Sequence, residues 1–399
     1  MWQQIKANKV KSAILFFIMG LVLISLGSVI GLYITEGKDP FVGIIFAFGF
    51  WVILTLVSYF KGDDIFLSMN GARRITPNEH KKLYNIVEEV CIASGMPSVP
   101  KIYIIDEQAP NAFAVGKSPK SASVAVTAGL LEKLNRDELQ GVIAHEIAHI
   151  QNRDTLYMLF ASLMLSSIVM LCEGFFRSAG RGSRRSSSGN GGGWIILICL
   201  IFAILAPIIA ELIYFAISRK REYLADACAA QYTRNPQGLA NALAKISGAK
   251  IKLNTANKYS APMYIINPLA FDKESKSLKD LTSTHPSTKS RIKILYKMTG
   301  ADVVSYQEAY SAIQGKKGGK LFSQNLINNT QHLSIITPQA QEESMDEKIE
   351  RRREVEDVMW KKNKYIFKVC SCETKIKAPS CYYGKTITCP HCKEEIELK

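Results

Sequence analysis

Apolar positions along this chain follow two patterns, and each predicts a different environment. Ser12–Ile34 and Phe41–Phe60 are uncharged apolar runs, each long enough to cross a bilayer as a helix. Only Thr35 to Pro40 separates them, so they predict an antiparallel transmembrane hairpin. Thr155–Cys172 and Trp194–Ala210 are two further uncharged runs of marginal length, with Glu173 and Glu211 at their ends. The stretch joining them, Arg177 to Gly193, is rich in Gly, Ser and Arg and reads as a flexible loop. The pair reads as a second helical hairpin, either spanning the membrane or only partly immersed in it, and spanning is the reading we take.

Elsewhere the pattern is periodic. Pro77–Gly95 reads as an amphipathic helix, and Val99–Ile105 and Ser123–Thr127 concentrate β-branched residues as strands do. Pro110 to Gly116 is a short strand-like piece with a turn signal at each end. From Asn135 the period becomes helical. Asn135 suits an N-cap and Glu138 a capping-box partner, and Leu139, Val142, Ile143, Ile147 and Ile150 mark the apolar face. Further helical patterns cover about Asn235 to Ala249 and the stretch after Thr284.

That helix carries His145-Glu146-Ile147-Ala148-His149. Residues four apart lie on nearly the same helical face, so both imidazoles can point at one metal ion. Glu146 sits about 100° round from His145, placed to reach a water at the metal rather than to ligate it. A catalytic zinc site keeps three protein ligands and one open position. Arg221-Glu222-Tyr223-Leu224-Ala225-Asp226 offers the third ligand in Glu222, and Asp226, four residues on, can hydrogen-bond a ligating imidazole.

The chain has 399 residues and a formal charge of +15. The positive balance flanks the apolar segments and fills the tail, as attraction to anionic lipid requires; we expect no nucleic-acid partner. Lys6, Lys9 and Lys11 precede the first run, which puts the N-terminus in the cytoplasm and returns the chain there at Lys61, with the catalytic motif following on that side. The first run is too long for a cleaved signal peptide. Cys91, Cys172, Cys199 and Cys228 are scattered through apolar sequence and read as reduced packing residues.

Beyond residue 300 the chain changes character. Gln314 to Gln341 is linker-like, and Glu342–Lys364 is densely charged, acidic first and basic later, which suits a solvated helix. Cys370-Ser371-Cys372 and Cys389-Pro390-His391-Cys392 then bracket strand-like pieces, with a turn at Tyr383-Gly384. This resembles a small zinc ribbon held by Cys370, Cys372, Cys389 and Cys392 around a second, structural zinc. The first pair is one residue shorter than usual, so Cys381 or His391 could replace one member.

Residues 1–300 resemble the HtpX-like membrane zinc metalloproteases, which are gluzincins related to the CaaX prenyl proteases. The resemblance is carried by the double hairpin, Asn111-Ala112-Phe113-Ala114, the His145 to His149 motif, the Arg221 to Asp226 motif, and His285-Pro286-Ser287 through Arg291. It implies a mainly α membrane protein with an α+β zincin-type catalytic domain. The layout would be a transmembrane hairpin at 1–61 and a metallopeptidase domain at 62–300, interrupted by the apolar hairpin at 155–217. A linker and charged helix at 301–363 and the zinc-ribbon-like module at 364–399 would follow.

The resemblance also implies a zinc endopeptidase of the cytoplasmic membrane acting on membrane or misfolded proteins in quality control, with stress-linked expression. His145, His149 and Glu222 would hold zinc and Glu146 would be the general base. His285 would donate to the oxyanion, and Arg291 would steady the site or a substrate carbonyl. Asn111, Ala112, Phe113 and Ala114 would form the edge strand that receives the substrate. The rival reading is a catalytically silent membrane scaffold or an adaptor working through the C-terminal zinc module. Intact Glu146 and metal ligands count against it.

Overall fold

A computed structural model describes residues 2–35, 38–181, 192–249, 251, 253, 263–266, 286–315, 319–322, 324–328, 330–336 and 344–398. His285 lies outside them. Helices α1 (Trp2–Ile34) and α2 (Phe41–Met69) form the expected hairpin. They are the two helices, among the described residues, long and apolar enough to cross a membrane. Their backbones touch at glycines: a Cβ on Gly43 would overlap the Gly27 carbonyl oxygen. Small residues at such crossings let helices pack closely in apolar surroundings. Outward, the pair presents exposed Phe17, Leu21, Phe46 and Phe60. α2 runs past the charged residues after Phe60, so it is longer than its apolar run.

The mixed α and β part begins with β1 (Arg73–Arg74) and α3 (Lys81–Ser94). α3 starts four residues later than the pattern suggests, because His80 caps it: its Nδ1 accepts from the Leu83 amide at 3.2 Å. β2 (Lys101–Ile105), β3 (Ala112–Val115) and β4 (Ser123–Thr127) complete a sheet of order β1-β2-β4-β3. β2 and β4 are parallel, and β3 lies at the edge, antiparallel to β4. After the short α4 (Ala128–Lys133) comes the motif helix α5 (Arg136–Gln151). Its capping box forms as expected: Asn135 accepts from the Glu138 amide and Glu138 from the Asn135 amide, both at 2.9 Å.

α6 (Thr155–Arg181) packs against the N-terminal hairpin, with Phe160, Met164, Leu165 and Ile168 in one buried cluster with Met19, Leu23 and Leu26. α7 (Gly192–Thr233) is one continuous helix of 42 residues. The apolar run and the segment carrying Glu222 are therefore not separate elements; no Gly or Pro interrupts the chain from Ile208 to Thr233. α8 (Pro236–Ser247) follows, capped by Asn235. It crosses α5 so closely that a Cβ on Gly141 would meet the Leu239 nitrogen at 2.7 Å. α5 is thus wedged among α3, α7, α8 and the sheet, which explains why apolar and ionisable residues on several of its faces are all buried.

α9 (Thr288–Lys297) and α10 (Val303–Gln314) close the domain; α11 (Gln324–Asn328) is one short turn beyond it. The charged helix α12 (Met345–Lys362) is not solvated all round. Val355 and Val358 are buried in the main core, and Arg351 Nε donates to the Glu132 carbonyl at 3.1 Å. Two valines three apart make a stripe narrow enough to be overlooked in so charged a segment, yet wide enough to dock it. Likewise Val303, Tyr306, Ala309 and Tyr310 of α10 belong to that core, so the body of the domain runs beyond residue 300. The tail ends in two hairpins, β5 (Tyr365–Val369) with β6 (Lys375–Pro379) and β7 (Thr386–Thr388) with β8 (Glu395–Glu397).

Candidate active site

α5 and α7 pack side by side and bring His145, His149 and Glu222 together. Their nearest donor atoms are mutually close. His145 Nε2 and His149 Nε2 are 3.2 Å apart, His149 Nε2 and Glu222 Oε1 3.4 Å, and His145 Nε2 and Glu222 Oε2 3.7 Å. Ligands at zinc bond lengths in a tetrahedral shell stand about 3.4 Å from one another, so the spacing fits.

Tautomers make the same point. His145 Nδ1 faces Asp226 Oδ1 at 3.0 Å and His149 Nδ1 faces Asp154 Oδ2 at 3.4 Å. A ring that donates through Nδ1 presents a lone pair at Nε2. Two such lone pairs 3.2 Å apart repel unless a proton or a metal ion lies between them.

The charges agree as well. Glu146, Asp154, Glu222 and Asp226 are four buried carboxylates, and Arg221 and Arg291 two buried guanidiniums. With neutral imidazoles these six groups leave two negative charges, the complement of a divalent cation. Burial by itself would lower the His149 pKa, but its bonds to Asp154 and Glu222 prevail and push it up to about 10. Burial pushes the Glu146 carboxyl up, against the pull of His145 and His149.

Arg291 is fully buried. Nε and Nη2 form a fork on Asp226 at 2.8 and 2.7 Å, while Nη1 reaches Glu222 Oε2 at 3.2 Å and the Ile265 carbonyl at 3.0 Å. Burial would raise the Asp226 pKa, but Arg291 and His145 hold it below the ordinary carboxylate range. Tyr306 closes this cluster with a hydroxyl 3.4 Å from Asp226 Oδ2.

Ala112, Phe113 and Ala114 lie on the edge strand, as expected, and all three are buried. The Asn111 amide is engaged by the chain's own backbone: Nδ2 donates to the Ile266 carbonyl at 2.9 Å. Sequence reasoning missed Asp154, Arg221 and Tyr306. The available signal was position, since Asp154 and Arg221 are charged residues beside ligand-bearing motifs and next to apolar runs.

In the tail, the sulfurs of Cys370, Cys372, Cys389 and Cys392 lie within 4.8 Å of one another. Cys370 and Cys392 approach to 3.3 Å, and Cys372 and Cys389 to 3.7 Å. Cys381 is exposed, and neither it nor His391 belongs to the group.

The chain is similar to several known proteins. Residues 77–299 match the model of peptidase family M48. A protease HtpX homologue of Dictyoglomus turgidum is 43% identical over 74% of this chain and 94% of its own length. One from Caldanaerobacter subterraneus is 42% identical over 74% of this chain and 97% of its own. Among solved structures, S. mikatae Ste24p is matched with a TM-score of 0.41 at 21% identity, over 74% of this chain and 67% of that one. Two motifs that converge on one metal-binding cluster, inside a chain so similar to HtpX homologues, lead to one conclusion: this protein belongs to peptidase family M48 and is a metalloprotease.

Proposed function

We propose that the chain is an integral membrane zinc endopeptidase that hydrolyses peptide bonds of membrane or misfolded proteins on the cytoplasmic side. The carrying observation is the convergence of His145, His149 and Glu222 donor atoms at tetrahedral spacing beside Glu146. Zinc, when bound there, makes a water acidic near neutrality and polarises the scissile carbonyl. Glu146 takes the proton of the attacking water and passes it to the leaving amine. Asp226 and Asp154 hold the two imidazoles with Nε2 turned inward, and Arg291 positions Asp226 and Glu222 together. The β3 edge receives the substrate backbone. His285 keeps the oxyanion role that the family resemblance implies. The exposed apolar faces of α1 and α2 support the membrane reading, and Lys6, Lys9 and Lys11 support the orientation.

The C-terminal cysteines are proposed to hold a second, structural zinc. Four sulfurs this close suit a tetrahedral thiolate site.

The test is cleavage of an unfolded protein by the detergent-purified, zinc-loaded chain, compared with Glu146→Gln. Cleavage by the natural chain alone is expected. Equal inertness of both, with zinc bound at the site, would favour the scaffold reading.

A further inference from the structure

The edge strand that should receive a substrate already carries a peptide, and it is the chain's own. Along β3, Asn111 and Phe113 bond inward to β4: Thr127 N donates to the Asn111 carbonyl at 3.0 Å, and Phe113 stands opposite Ala125. Alternation along a strand turns the polar groups of Ala112 and Ala114 outward. The outward carbonyl of Ala112 accepts from Ile265 N at 3.0 Å. The Asn111 side chain then reads the next peptide in both directions, donating to the Ile266 carbonyl at 2.9 Å and accepting from Ile266 N at 3.5 Å. Arg291 takes the Ile265 carbonyl. Every one of these contacts is made to the backbone of residues 265 and 266. Tyr264–Ile266 runs as a bend rather than a strand, yet these contacts reach its backbone and not its side chains, on the edge where an added peptide would bind.

Side chains add a second layer. Tyr264 meets Phe113 edge-to-face at 5.2 Å and donates to Asn70 Oδ1 at 2.7 Å. Ile266 borders a cavity lined otherwise by Ala109, Pro110, Asn111, Ile246, Ala249 and Ile251. The seat is mostly apolar: Asn111 and Arg291 meet the backbone of the segment, and Asn70 meets the Tyr264 hydroxyl.

We infer that Met263–Ile266 is an internal occupant of the substrate seat, and that a protein substrate binds by taking its place, as an extended aliphatic stretch. This rests on the endopeptidase reading and deepens it. The exchange trades the segment's backbone contacts for those of the substrate, so it is selective without being prohibitive. An intramolecular occupant lowers apparent affinity by the fraction of molecules in which it has left the edge. The resting enzyme is therefore partly latent, and substrates rich in exposed β-branched and aliphatic sequence are favoured over polar ones.

The test uses the full chain in detergent with zinc and a permanently unfolded, carboxymethylated protein as probe. In Glu146→Gln, amide exchange at Ile265 and Ile266 is followed by mass spectrometry while probe binding is read by fluorescence anisotropy. Loss of protection at these two amides on binding is expected; binding with protection unchanged overturns the proposal.

Tyr264→Phe, which frees the segment from Asn70, is expected to lower KM for the probe about three- to tenfold with kcat little changed. Ile265→Pro, which removes the amide that donates to Ala112, should do the same. If Ile265→Pro fails to fold, Tyr264→Phe decides. An unchanged or raised KM in Tyr264→Phe counts against displacement. The two readings fail separately: cleavage by the natural chain with protection unchanged in Glu146→Gln sinks only the occupant, and loss of protection in Glu146→Gln with no cleavage by the natural chain sinks only the protease. Absence of binding overturns both.

Discussion

Arg291 and Asp226 meet through two hydrogen bonds, 2.8 and 2.7 Å long, at a place where neither side chain is exposed to solvent. The fork joins α9 to α7 and, through Asp226, fixes the His145 ring on α5. Removing one member of a buried pair leaves the other uncompensated, at a cost of about 3–5 kcal/mol. Arg291→Met should therefore lower stability by that order in thermal unfolding, and Arg291→Lys should recover little, because an ammonium cannot form the two-pronged contact. Near-complete recovery by lysine would show that charge alone matters here.

Asp154 is the corresponding partner of His149. Loss of such a partner typically weakens metal affinity about 10- to 100-fold. Asp154→Asn should show that loss in competition with a chromophoric zinc chelator, with the fold unchanged by circular dichroism. Undiminished affinity would mean that the 3.4 Å contact does not orient the ring.

Gly43 fits against Gly27 with no room for a side chain. Gly43→Val should force α1 and α2 apart and destabilise by at least the roughly 1–3 kcal/mol of an overpacked core. Cysteine cross-linking between the helices in detergent would register the separation as a lower yield.

Acid stability should depend on Asp302. Burial would raise its pKa, but the amides of Ser305 and Leu333, with His332 beside them, hold it below the ordinary carboxylate value. A group depressed in the folded state contributes stability above its unfolded pKa of about 3.9 and loses it as pH falls through the folded value. Urea midpoints of the natural chain should therefore fall more steeply than those of Asp302→Asn as pH is lowered from about 5 to 2. Parallel curves would assign the acid limb to other carboxylates.

What the sequence made legible was mostly local. The Asn135 to Glu138 capping box, the helix it opens, and β4 at Ser123–Thr127 depend on neighbours within a few residues, and each forms where expected. The convergence of His145, His149 and Glu222 was readable because two motifs with known chemical requirements restrict the partners. Other features depend on contacts that spacing does not encode. Asn111 finds Ile266 across 155 positions, and Arg73 approaches the carbonyl of Val358 across 285. The docking of α12 was hidden for the same reason, since its charge pattern describes the solvated face and Val355 and Val358 supply the other.

That docking sets an order of events during synthesis. Chains emerge from the ribosome N-terminus first, at about 5–20 residues per second. α1 and α2 are available to a membrane while most of the metal-binding residues have yet to be made. Val355 and Val358 arrive well over a hundred residues after Glu222, so the core surface they cover stays bare until late in translation. A chain cut short before α12 would leave that part of the core surface, between α4 and the charged helix, open to solvent.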